Sequence, residues 1–163
     1  MAVGAASGVL AMVASVATLY FLLPVDPSLV DIGARLGYAL KLNAFAILPL
    51  LVSLIVVGNN RFLSEAIDPT RHKESLATEI NGRVADNTLQ QFMLFLVGTL
   101  ALSVSLTGPQ MRAIPAATVV FVVARIAFWI GYRIHPLYRA FGMAATAYLN
   151  VGLIGFALWR AVG

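Results

Sequence analysis

The sequence predicts an all-α integral membrane protein with five transmembrane helices, the last four forming a bundle. Three observations carry that prediction. Of the 163 residues, 60% are hydrophobic and only 11% are charged, against about a quarter charged in an ordinary soluble domain. The mean hydropathy is +0.88. The apolar residues also gather into five runs, each near the ~20 residues that a helix needs to cross the hydrocarbon core. The chain is too short for two domains of usual size.

The first run, Ala2–Leu23, carries Gly4, Gly8 and Ser15, small residues that let another helix approach closely. It lacks the basic leader of a cleaved signal peptide and is long for the apolar part of one, so it is expected to remain as a span. Pro24–Leu36 is a loop with Pro24, Pro27 and two aspartates. The second span is Gly37–Val57, interrupted by Lys41, Asn43 and Pro49. The loop Gly58–Asn87 holds most of the charge, and its latter half, Pro69–Asp86, has the pattern of a short amphipathic helix running into the third span, Thr88–Leu106. Asn87 suits the N-cap of that span. Thr107–Arg112, with Gly108 and Pro109, is a tight turn into the fourth span, Ile114–Ile134. Ile134–Arg139, broken by Pro136, turns into the fifth, Ala140–Val162. Such short turns make spans three, four and five antiparallel neighbours.

The basic residues stand at segment ends rather than in a cluster, which disfavours a nucleic-acid partner. Arg61, Arg71, Lys73, Arg83, Arg133 and Arg139 fall on the side of the N-terminus; Arg35, Lys41, Arg112 and Arg160 fall on the other. Six against four places the N-terminus and the 58–87 loop in the cytoplasm, because cytoplasmic loops carry the Lys/Arg excess. The chain has no cysteine, which excludes a disulfide framework, a thiolate metal site and a cysteine nucleophile. His72 and His135 both fall in loops without a second ligand at metal spacing.

Two stretches carry polar groups into the bundle. In RVADNTLQQF, Arg83, Asn87, Gln90 and Gln91 fall at i, i+4, i+7 and i+8; in ARIAFWIGY, Arg125, Phe128, Trp129 and Tyr132 fall at i, i+3, i+4 and i+7. Each set shares one helix face. Arg139 opens the fifth span just after the turn. Arg125 lies nine residues before Ile134, roughly 13 Å from the helix end, further than a side chain readily snorkels. A guanidinium keeps its charge, so Arg125 needs an anionic or carbonyl partner. Asp86 is the nearest acid, since no Asp or Glu follows it; an anion from outside the protein is the alternative. The plainer reading makes Arg125 a packing ion pair, Arg83 and Arg133 interfacial anchors, Trp129 and Tyr132 aromatic-belt residues, and Gln90 and Gln91 interhelical hydrogen-bond partners.

These spacings resemble the membrane-associated proteins in eicosanoid and glutathione metabolism, the MAPEG superfamily. Arg83 and Asn87 match an Arg-x3-Asn-x2-Glu pattern whose acid is here Gln90. Arg125, Tyr132 and Arg139 match Arg-x2-Tyr-x3-Tyr-x6-Arg, with Phe128 at the first tyrosine. The resemblance implies a four-helix bundle over residues 37–163, preceded by an extra helix and loop over 1–36, and assembled as a homotrimer in lipid. It further implies glutathione held between subunits by Arg83, Asn87, Gln90, Arg125 and Tyr132, with Arg139 stabilising the thiolate against a lipophilic electrophile. The activity expected on that footing is a glutathione-dependent transferase or peroxidase. The losses at Gln90 and Phe128, with Gln91 at a position often aromatic in the family, keep open a non-catalytic lipid- or partner-binding protein on the same fold. The extra first span resembles a five-span, mattrin-like branch acting in trafficking or signalling.

Overall fold

The computed structural model describes residues 2–64 and 74–162; His72 and the start of the expected Pro69–Asp86 helix lie outside the described residues. Among the described residues all regular structure is helical, and five stretches are long and apolar enough to cross a membrane. In order they are α1 (Ala2–Leu22), the pair α2 (Ile32–Ala46) and α3 (Leu48–Phe62), α4 (Leu76–Ser105), α5 (Ala113–Ile134) and α6 (Arg139–Val162). A single 3-10 turn, Gly108–Arg112, joins α4 to α5.

Two spans differ from their sequence expectation. The second is longer and is broken at Ile47. Proline at position 49 has no N–H for the Phe45 carbonyl and its ring crowds that carbonyl; the Ile47 amide turns back to Asn43 and Phe45 instead. The third span does not begin at Thr88. The amphipathic segment and the apolar run are one 30-residue helix. Its cap is Ser75, whose hydroxyl accepts from the Thr78 amide at 3.2 Å, so Asn87 is not an N-cap but stands mid-helix. Asp31 caps α2 in the same way, accepting from Ala34 at 2.9 Å.

The α2–α3 pair, α4, α5 and α6 form the bundle, and α1 packs on its outside against α5 and α6. Phe95 and Phe121 stack at 4.4 Å between α4 and α5. Leu102, Met111, Ile114 and Leu149 extend the core. Two glycines set the closest approaches. A Cβ at Gly142 would run into the backbone of Ala124 and Phe128, and one at Gly8 into the backbone of Phe141. The first lets α6 seat on α5; the second lets α1 seat on α6. Buried polar pairs add directional contacts: Asn43 donates to Thr99 at 2.9 Å, and Asn150 donates to the Gln91 side chain at 2.9 Å. At the end of α4 remote from its Ser75 cap, Arg35 and Arg160 donate to the carbonyls of Ser103 and Ser105. Those carbonyls end α4 and have no intrahelical partner of their own.

Candidate functional site

A cleft of about 400 Å³ opens where the first half of α4 faces the end of α5 and the start of α6. It is lined by Arg83, Asn87, Phe128, Tyr132, Arg139, Ala140 and Met143. Each helix supplies its groups for a local reason. Arg83 and Asn87 are one turn apart on α4. Phe128 and Tyr132 are one turn apart on α5, their rings edge to face at 5.9 Å. Arg139 is the first residue of α6. It is brought back over the cleft because Gly131 lets the turn pass close: a Cβ there would lie 2.7 Å from the Tyr138 carbonyl oxygen. The Arg139 guanidinium then stacks 4.6 Å above the Tyr132 ring, a cation–π contact that fixes its plane. Arg83 pairs with Glu79 at 2.6 Å, both side chains well exposed, an arrangement worth little and easily exchanged for another anion.

The structure therefore gathers Arg83, Asn87, Tyr132 and Arg139 around one space. It leaves two candidates outside. Gln90 shares the angular direction of Arg83 but stands two turns further along α4, exposed and not among the lining residues. Its neighbour Gln91 is buried and takes the hydrogen bond from Asn150. Arg125 lies behind the cleft wall, 1% exposed. Asp86 is not its partner: one residue from Asn87, it is turned about 100° around the helix and is exposed. The partners are neutral. Nη2 donates to Asn87 Oδ1 at 3.0 Å and to Thr88 Oγ1 at 2.8 Å; Nη1 donates to Thr146 Oγ1 at 3.2 Å. The Phe128 ring sits 4.1 Å from the guanidinium carbon, so the position that lacks a tyrosine hydroxyl serves as an aromatic floor.

Thr88, Thr146 and Asn81 escaped sequence reasoning. Asn81 accepts from the Trp129 indole at 2.9 Å and ties α4 to α5 beside the cleft. The available signal was their placement: Thr146 and Asn150 are spaced i, i+4 on an otherwise apolar helix, and buried polar groups in a span need partners. No group of His, Asp and Glu among the described residues could hold a metal ion.

The model of the MAPEG family matches residues 9–159. The chain belongs to the MAPEG family. Curated relatives include Transmembrane protein 79 of Mus musculus, 28% identical, and Transmembrane protein 79 of Bos taurus, 26% identical, each over 142 residues. Both alignments cover 86% of this chain and 35% of the relative, so the chain spans about a third of their length. No solved structure matches it. Within this MAPEG chain, the matched residues take in most of α1 as well as the four-helix bundle.

Proposed function

We propose that this MAPEG protein binds glutathione in the cleft between α4, α5 and α6, and activates the thiol toward a lipophilic electrophile drawn from the bilayer. One observation carries the reading: two guanidiniums, Arg83 and Arg139, and the Asn87 amide line a single cleft, and among the described residues no carboxylate is part of its lining. Glu79, which pairs with Arg83, is not one of the lining residues. Glutathione brings two carboxylates and a thiol, and arginine forks are suited to carboxylates. The cleft volume, about 400 Å³, lies in the range of small-molecule sites. In this reading Arg83 and Asn87 hold the peptide, and Tyr132 lies along it. Arg139, held over the Tyr132 ring, favours the thiolate, which is the nucleophile. The thiol proton leaves to water; with a chlorodinitroarene, the sulfur–carbon bond forms as chloride departs.

The functional unit in this reading is a homotrimer with the N-terminus and the 58–87 loop in the cytoplasm. Glu79, Arg83, Asp86 and Gln90 form an exposed stripe on α4; its Gln90 end reaches into the span, where polar side chains turn to protein rather than to lipid. A second copy covering that stripe would bring Gln90 to the edge of the site. The test is thiolate ultraviolet absorbance on titrating glutathione into wild type and Gln90→Glu. A thiolate band in wild type, stronger in Gln90→Glu, is the expected result; none in either ends the enzyme reading. A second reading, a non-catalytic protein that holds an anionic amphiphile, is favoured by the enclosure of Arg125 within the chain and by Phe128 in place of a hydroxyl donor.

A further inference from the structure

Arg125 is a buried cation whose partners are all uncharged, and the direction of each partner is decided by its own helix. Thr88 donates its hydroxyl proton to the Val84 carbonyl at 2.6 Å, and Thr146 donates to the Gly142 carbonyl at 2.9 Å. Both oxygens are therefore left with lone pairs facing the guanidinium. Asn87 has no such constraint from α4, and its orientation comes from Arg125. A guanidinium can only donate, so the amide atom at 3.0 Å from Nη2 is the carbonyl oxygen. The amide is planar, so its NH2 points elsewhere. Asn87 also lines the cleft, and its Nδ2 makes no hydrogen bond among the described residues.

We propose that Arg125 is a positioning residue, which turns Asn87 so that the cleft receives an N–H and not a C=O. It acts through Asn87 and touches no ligand. Every polar group lining the cleft is then able to donate: the guanidiniums of Arg83 and Arg139, the Asn87 amide and the Tyr132 hydroxyl. The site so built selects a ligand by its carboxylates and rejects one whose carboxylates are masked as esters. This selectivity rests on the glutathione reading above; the orientation of Asn87 does not.

Two measurements on the full chain in lipid nanodiscs keep these apart. The first is a mutant cycle read by glutathione affinity, with glutathione diethyl ester as the masked ligand. Arg125→Met should weaken glutathione about tenfold, the effect of one lost charge-oriented hydrogen bond. In an Asn87→Ala background it should cost less than about twofold, because partners in one network are not additive. The ester should bind no variant. An equal loss in both backgrounds, as a direct ligand contact or a general loosening would give, overturns the proposal. The second is the side-chain amide resonances of asparagine-labelled protein, assigned by their loss in Asn87→Ala. They should move in Arg125→Met with or without ligand, and resonances that stay in place overturn the proposal even if wild type binds no glutathione. If Arg125→Met does not assemble, Arg125→Lys takes both arms. One ammonium cannot span Thr146 and Asn87 together, so the same changes should follow at smaller size; lost affinity with unmoved Asn87 resonances overturns the proposal there too.

Discussion

Replacing Gly142 with alanine adds one methyl group at the point where α6 lies against α5. Taken alone, the change should help, since alanine exceeds glycine in helix propensity by about 1 kcal/mol. The structure reverses the sign. The new Cβ would meet the backbone of Ala124 and Phe128, not the end of a flexible side chain. Backbone cannot rotate away, so the helices must part by roughly 1 Å to restore ordinary carbon contacts. Overpacking of this kind costs about 1–3 kcal/mol. The shift also falls on the Arg125 network, because Thr146 sits one turn beyond Gly142 and is held to Arg125 at 3.2 Å. Losing that charged hydrogen bond adds about 1–2 kcal/mol. The net expectation is a loss of about 2–4 kcal/mol in reversible unfolding from mixed micelles, followed by helical circular dichroism. Gly152 is the control, exposed on α6 with nothing near its Cβ position; Gly152→Ala should be neutral or slightly stabilising. Gly142→Ala unfolding at or above the wild-type midpoint would refute the argument that backbone contact, and not propensity, governs this position.

Arg139→Ala should raise the pKa of bound glutathione and slow conjugation of chlorodinitrobenzene by about tenfold or more, with little change in affinity. Arg83→Ala should chiefly weaken affinity, by about tenfold for one charged contact; thiolate absorbance and turnover separate the two. Light scattering with the detergent contribution subtracted should give three chains per particle, and a clean monomer would sink the trimer. In the loop before α2, Ser28 holds the Asp26 carboxyl below its ordinary pKa, through its hydroxyl and its amide. A depressed carboxylate stabilises the fold above its unfolded pKa, and that contribution is lost as pH falls through the folded value. Ser28→Ala removes the hydroxyl, the larger cause, and keeps the amide, so the Asp26 pKa should rise part of the way toward the ordinary carboxylate range in a carboxyl-carbon titration, and the acid side of the stability profile should become shallower.

The crossings were legible because composition decides them: a run such as Ile114–Ile134 has no way to satisfy its backbone in lipid except as a helix. Their ends were less legible. Asn87 has the chemistry of a cap, yet Ser75 stands ahead of a segment that continues in helical register, and an earlier cap with an unbroken pattern wins. Periodicity also gives a direction around a helix and not a height along it. Arg83 and Gln90 share the direction, but only Arg83 is level with the cleft. The partners of Arg125 were illegible for another reason. A search for its counterpart looks for charge, whereas Thr88 and Thr146 are ordinary inside spans, where their hydroxyls bond back to their own helix. Only the packing of α4 and α6 against α5 brings the two oxygens to one guanidinium.

The length of α4 has a consequence for how the cleft is supplied. Its 30 residues reach about 45 Å, while the hydrocarbon core is about 30 Å deep. Its apolar part fills the core and ends near Asn87, so the turns carrying Glu79 and Arg83 stand in the headgroup layer. The cleft thus straddles a phase boundary, with its cationic rim in water and Phe128 and Met143 below it. A polar molecule arriving there is counted by its concentration in the aqueous volume. An apolar one is counted per lipid molecule, because only its share dissolved in the bilayer meets the site. Diluting the protein with extra lipid at fixed total solute should therefore lower occupancy by the second kind of molecule and leave the first untouched. Surface dilution, rather than bulk concentration, becomes the variable that any kinetic description of this cleft has to hold constant.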